Sequence, residues 1–226
     1  MARLSARRAF RWSLTLAWGL LVLVLTPSWA GADDGVPGVA VRVQGAWLNF
    51  RDDNPLRTGE GSLSSRSDFG SAAGVQVGVE LRPWRLLGIE IATAYVPFEV
   101  RETDFICCTF NDEPIVEKSR PRFHFRPLSV GLDFHIPAGK RADIYLGPTH
   151  SRLIYGGRNH FGEGDDLDPH DAFGAVVGVD VKPGTGPFAY TPSVRYFRGP
   201  LSGLLLGGPA TAIDIYLVGA GLSCRF

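Results

Sequence analysis

The chain has 226 residues, of which 45% are hydrophobic, 11% aromatic and 20% charged, with 28 glycines and a single methionine. Its formal net charge is zero, which excludes the basic footprint of a nucleic-acid binder. Abundant glycine and aromatics with few strong helix formers favour an all-β chain with many turns.

Residues 1–30 read as an export signal. Arg3, Arg7, Arg8 and Arg11 precede an apolar run from Trp12 to Leu25, and "TPSWAGADD" follows. Ser28 and Ala30 occupy the small-residue positions that a signal peptidase reads, which places cleavage after Ala30. The competing reading is an uncleaved anchor. A spanning helix takes about 20 apolar residues; this run is shorter and Pro27 follows it. Losing the four arginines leaves 19 basic against 23 acidic residues, a net charge of −4.

From residue 36 to 226 the dominant signal is alternation with period two, which reads as strands in one barrel domain. The first strand, "GVAVRVQGAWLNF", sets Val39, Val41, Val43 and Trp47 against Arg42, Gln44 and Ala46. The second sets Phe69, Ala73, Val75, Val77, Val79 and Leu81 against Gly74, Gln76, Gly78, Glu80 and Arg82. The third sets Leu87, Ile89, Ile91 and Tyr95 against Gly88, Glu90, Ala92 and Ala94. The fourth sets Leu128, Val130, Leu132, Phe134 and Ile136 against Ser129, Gly131, Asp133 and His135. Phe123 and Phe125 fall out of phase with that apolar set, and a bulge near Arg126 and Pro127 is expected to absorb the slip.

The fifth strand sets Ile144, Leu146 and Ile154 against Asp143, Tyr145, Gly147 and Ser151, with Pro148 as a weak point. The sixth sets Phe173, Ala175, Val177, Val179 and Val181 against Gly174, Gly178, Asp180 and Lys182. The seventh, "PFAYTPSVRYF", sets Phe188, Tyr190, Val194 and Tyr196 against Ala189, Thr191, Ser193 and Arg195. The eighth, "IYLVGAGLSCRF", alternates to the last residue, Phe226. "RPWR", "PAGK" and "KPGTG" form tight turns, whereas the links 54–68, 102–120, 157–171 and 199–210 are long and polar. That rhythm fits an up-and-down antiparallel barrel with turns at one rim and loops at the other.

Side-chain volume chooses the inside. An eight-stranded barrel has an interior just wide enough for side chains to fill. The face rich in glycine and charge fits that space: Arg42, Glu80, Arg82, Glu90, Asp133, Asp143, Asp180, Lys182, Arg195 and Arg225. The branched face then meets lipid, as in a transmembrane β-barrel. A soluble lipocalin-like binder would invert this. Aromatics near the strand ends (Trp47, Phe50, Trp84, Tyr95, Phe98, Phe188, Tyr196 and Phe226) read as interfacial girdles. Ions paired across a narrow interior imply a sealed centre rather than a channel.

The export signal, the eight alternating strands and the terminal "VGAGLSCRF" resemble the small outer-membrane barrels of the OmpA/OmpX (Ail/Lom) type, over residues 36–226. The family often ends in GxGYRF; here the segment reads GAGLSCRF. The resemblance implies the outer membrane of a Gram-negative bacterium, with lipid and lipopolysaccharide around the barrel. It implies insertion by the barrel-assembly machinery, which reads the C-terminal aromatic Phe226. It also implies four loops that face outside. Phe105, Ile106, Phe110 and Ile115 in the long links are expected either to pack over the barrel mouth or to contact a host surface, a phage or lipopolysaccharide. No cofactor is expected. With no peptidoglycan-binding segment after Phe226, a cell-wall anchor is not expected.

Three features invite chemistry. The segment "NHFGEGDDLDPHD" carries His160, Glu163, Asp165, Asp166, Asp168, His170 and Asp171, a donor set for a divalent cation without the spacing of a calcium loop or zinc motif. A solvated acidic loop is the preferred reading. "THSRL" sets His150 beside Ser151, but strand neighbours face opposite sides, so one cannot activate the other. A lipid A-modifying deacylase or acyltransferase is therefore the lesser alternative to a non-enzymatic barrel. Cys107, Cys108 and Cys224 form no even framework, and the adjacent pair reads as two small loop residues rather than a disulfide or redox site.

Overall fold

The computed structural model describes residues 38–51, 56–58, 63–106, 115–120, 122–158, 164–166, 169–201 and 211–226. The export signal, Cys107, Cys108, His160, Glu163 and Asp168 lie outside the described residues. Thirteen strands follow in chain order: β1 (Gly38–Arg51), β2 (Leu56–Thr58), β3 (Leu63–Phe69), β4 (Ala72–Trp84), β5 (Leu87–Ile106), β6 (Ile115–Ser119), β7 (Arg122–Ala138), β8 (Ala142–Arg158), β9 (Gly164–Asp166), β10 (His170–Val181), β11 (Phe188–Tyr190), β12 (Ser193–Leu201) and β13 (Thr211–Arg225). Eight of them close a ring in the order β1, β4, β5, β7, β8, β10, β12, β13, every pair antiparallel.

The seam between β13 and β1 runs from Ala40 opposite Arg225 to Arg51 opposite Asp214. Phe226 extends it: its N–H donates to the Val39 carbonyl at 2.8 Å, and the Val39 N–H donates back at 3.1 Å. No edge is left on the wall at this seam, as a hydrocarbon environment requires.

Cross-strand partners define the stagger. Starting at Val41, the pairs lead through Val79, Ile91, Val130, His150, Phe173, Arg198 and Asp214, and return to β1 at Arg51. One circuit therefore advances ten residues along the first strand. That shear goes with strands tilted by roughly 40° and a narrow bore.

Three departures from the sequence reading concern the wall. The bulge expected near Arg126 and Pro127 is absent: β7 alternates without a break, and its register to β8 is the same on both sides of Pro127. Phe123 and Phe125 simply share the inward phase of Ser129 and Asp133. A register shift instead lies between Leu81 and Trp84, where Pro83 cannot donate to the ladder. The seventh strand is divided, with β11 and β12 separated by Thr191 and Pro192, although the inward phase of Ala189, Thr191, Ser193 and Arg195 runs through both.

The turn rim is short. Arg85 and Leu86 join β4 to β5, and Gly139, at φ 77°, turns β7 into β8 in the left-handed conformation that glycine adopts without penalty. The other rim extends. β5 has 20 residues and β7 and β8 have 17 each, whereas crossing hydrocarbon takes about 9–11. There β3 and β6 pair with β5, and β2 pairs with β3, so the wall continues past the membrane as a small second sheet.

Candidate functional site

The alternation divides side chains cleanly between lumen and exterior. Val43, Val75, Val77, Ile91, Leu128, Val130, Leu132, Val177, Val218 and Leu222 are exposed on the outer wall. Arg42, Glu80, Arg82, Glu90, Asp133, Asp180 and Arg195 are buried within. Exposed branched side chains in a continuous belt, over a buried layer of charge, is the inverse of a water-soluble barrel and matches a membrane-spanning one.

The charged layer fills the turn-side half of the lumen. Arg42, the fifth residue of β1, is its hub. Its Nη2 donates to Glu80 at 2.5 Å and to Asp180 at 3.5 Å, and its Nη1 donates to Glu90 at 3.0 Å. The guanidinium lies 4.2 Å from the Tyr145 ring centre, a cation–π contact that also covers its face. Arg82 donates from Nε to Glu80 at 2.6 Å and from Nη1 to Asp143 at 2.7 Å. Arg195 donates to Glu90. Arg225 reaches Asp143 at 3.3 Å from the last strand.

His135 completes the layer. Its Nε2 lies 2.5 Å from Glu80 Oε1 and its Nδ1 lies 3.1 Å from Asp143 Oδ2. Both neighbours are carboxylate oxygens, which accept; two donating ring nitrogens describe an imidazolium. Arg42, Arg82, Arg195, Arg225 and His135 thus face Glu80, Glu90, Asp143 and Asp180, while Asp133, whose oxygens accept no hydrogen bond among the described residues, stands 3.7 Å from Arg42. Paired charges are what a low-dielectric interior tolerates.

Glu80, Asp133 and His135 place one ligand atom each within 4.8 Å of one another, a geometry open in principle to a metal ion. Their other contacts speak against that use. Both His135 nitrogens face carboxylates, and Glu80 takes hydrogen bonds from Arg42 and Arg82. Arg42 Nη1 stands 3.7 Å from Asp133. A cation here would displace guanidinium groups already compensating the acids.

Above the ions lies a neutral polar tier. Gln44 donates to the Thr191 carbonyl at 2.6 Å and accepts from Ser193 at 3.1 Å, and Ser151 donates to Ser129 at 2.7 Å. Toward the loops the lumen becomes apolar. Leu48, Phe50, Val96, Phe98, Val100, Phe123, Phe125, Leu153, Tyr155, Phe197, Ile213, Ile215 and Leu217 form one buried cluster. Its rings stagger, with Phe50–Phe98 centroids 5.2 Å apart and Phe125–Tyr155 centroids 5.4 Å apart.

This tier corrects the expectation for two girdle aromatics. Phe50 and Phe98 point inward, at 7% and 3% exposure. Trp47, Trp84, Tyr95 and Phe188 are exposed on the outside, and Tyr196 and Phe226 are half-buried. The phase is constant along each strand, but the chemistry swaps faces: outside the apolar tier, the same strands present Asn49, Arg51, Glu99, Arg101, Arg122, Arg152 and Arg198. Apolar inside and charged outside is the pattern of a barrel in water. The swap marks the loop-side limit of the membrane.

The remaining candidates disperse. Lys182 is half-buried just past β10, outside the ion cluster. Asp165 and Asp166 lie on β9, which pairs with β8, and His170 opens β10 half-buried. His150 is exposed and meets Phe173 edge-on at 5.0 Å, while Ser151 is buried against Ser129. The two share no contact.

Neither a protein-family model nor any curated protein matches the chain. Solved structures do. The outer membrane protein OprG of Pseudomonas aeruginosa aligns at a TM-score of 0.56 and 13% identity, over 85% of this chain and 97% of that one. Neisserial surface protein A aligns at 0.53 and 12% identity, over 86% of this chain and 100% of that one. The outer membrane protein AlkL, solved in lipid bilayers, aligns at 0.51 and 15%, over 87% of this chain and 92% of that one. The fold is that of a small outer-membrane β-barrel. Identity this low speaks for architecture alone; the residues of the lumen belong to this chain's own account.

Proposed function

We propose that the protein is an integral barrel of a Gram-negative outer membrane, exported by residues 1–30. Its lumen is sealed, and its role is to hold the loop-side sheet and loops at the cell surface for adhesion or other surface contact. The observation that carries this reading is the stacking of three filled tiers. Ions, neutral amides and hydroxyls, and then packed aromatic and branched side chains occupy the bore in turn. Only larger barrels leave an aqueous channel.

Two measurements test it. Purified protein in planar bilayers should give no steady conductance; a stable open level overturns the sealed lumen. Cells producing the wild type should adhere to host-cell surfaces better than cells whose segments 107–114, 159–163 and 202–210 are replaced by short Gly/Ser turns at equal barrel abundance. Equal adhesion removes the display role.

A further inference from the structure

The bore opens toward the turns. Arg42, Glu80 and Glu90 are buried, whereas the side chains of Asp143 and Arg225, nearer the strand ends, are 16% and 23% exposed. The two acids of this mouth are already shared. Asp143 Oδ2 accepts from Arg82 Nη1 at 2.7 Å and from Arg225 Nη2 at 3.3 Å, and lies 3.1 Å from His135 Nδ1. Asp180 Oδ2 lies 3.4 Å from Arg82 and 3.6 Å from Arg225.

Lys182 has no share in them. It stands two residues past Asp180, half-buried and in the same inward phase. Its backbone N–H donates to the Arg141 carbonyl at 2.7 Å, which holds it against the turn that carries Lys140 and Arg141. Arg85 stands exposed in the turn between β4 and β5. Arg85, Lys140, Arg141 and Lys182 have no ion pair among the described residues.

The described acids at this end are engaged elsewhere. Glu80, Glu90, Asp133, Asp143 and Asp180 lie inside, against Arg42, Arg82, Arg195, Arg225 or His135. The terminal carboxylate at Phe226 accepts from the Val39 N–H at 3.1 Å. Asp33 and Asp34 precede β1 in the sequence and lie outside the described residues. The outer wall near this rim presents Leu81, Ile136, Val181 and Tyr190 to lipid. A headgroup on that wall is separated from Lys182 and Arg225 by the sheet itself, so a ligand of the mouth comes from the aqueous space on the turn side.

We infer that the turn-side mouth binds a soluble multivalent oxyanion, a polyphosphate or a polycarboxylate. Lys182 and Arg225 are its nearest contacts, and Arg85, Lys140 and Arg141 form an outer collar. The planar fork of an arginine meets two oxygens at once, and the lysine ammonium adds a compact charge. Asp143 and Asp180 repel the anion from the bore and hold it at the opening. The inference rests on the barrel fold and is independent of the display role.

The test uses full-length protein in phosphatidylcholine nanodiscs, which add no net lipid charge and leave both rims accessible. Sodium tripolyphosphate and sodium citrate are titrated in calorimetrically, in low-salt buffer without divalent cations. At least one should bind, and the tighter of the two names the source. Lys182→Gln should weaken binding roughly tenfold, the scale of one charge-assisted hydrogen bond. The combined Arg85→Gln, Lys140→Gln, Arg141→Gln variant should weaken it as well. The loop-side variant Arg122→Gln, Arg152→Gln should keep wild-type affinity, and Asp33→Asn, Asp34→Asn should bind at least as tightly as the wild type. Binding of neither anion overturns the inference, as does an unchanged affinity in Lys182→Gln or an equal loss in the loop-side variant. Gel mobility without boiling reports folding independently. A folded wild type that binds neither anion ends this inference alone, whereas one that never folds into bilayers ends the barrel reading too.

Discussion

Arg42 shows what a narrow bore asks of one side chain. It touches acids from the neighbouring strands β4 and β5 and from β10, which shares no ladder with either. Replacing it with methionine keeps the volume but leaves Glu80, Glu90 and Asp180 short of a counter-ion. Breaking a buried pair by removing one partner costs about 3–5 kcal/mol, so Arg42→Met should lower the urea midpoint of unfolding in vesicles, followed by circular dichroism. The double variant Arg42→Met, Glu90→Gln should recover part of the loss, because one orphaned charge has gone. A single variant as stable as the wild type would deny the hub its role. Glycine matters here by leaving room: a Cβ at Gly78 would stand 2.9 Å from Glu90 Oε1, inside contact distance, so the ion layer is cut to fit a backbone position with no side chain.

At the scale of the strand, the lesson is a constant phase with a changing chemistry. Val77 lies mid-run on the outer face of β4, opposite Val43 and Thr93. An arginine there should cost about 2–4 kcal/mol, the penalty for a cation at the bilayer midplane. Phe98→Ala, on the inner face near the loops, should cost about 3–5 kcal/mol by opening a cavity. Both are read from unfolding midpoints, and a neutral Val77→Arg would contradict lipid contact on that face. The phase and most of the turn-side lumen were legible from alternation alone, His135 and Tyr145 included, since both sit in step with Asp133 and Asp143. The apolar tier was not. A single rule of greasy-outside fails over whole strands, because β5, β7 and β8 are too long to lie wholly in hydrocarbon. Strand length was the available signal that Phe50 and Phe98 belong to a part of the wall standing in water. The slip expected at Pro127 has the same cause: Phe123 and Phe125 fall out of phase only while apolar is equated with outward.

For the molecule as a whole, closure is the stabilising condition. Removing Leu222–Phe226 would strip partners from Val39–Val43 on one side and from Phe188–Tyr190 on the other. Backbone groups left unpaired in hydrocarbon cost several kcal/mol each. The truncated chain, refolded in vesicles without any assembly factor, should show no compact band on unboiled gels, and a wild-type-like band would refute the need for the seam.

The ten-residue advance per circuit has a consequence for how such a chain can change over time. Because the ladder returns to its own first strand like a screw thread, no single pair of neighbours can slide without altering the pitch of every other and the girth of the bore. Insertions are therefore confined to the connecting segments at the rims, while a residue gained within any wall strand must be answered by a compensating kink or a re-cut lumen. Evolution can rewrite the tips freely and the cylinder hardly at all.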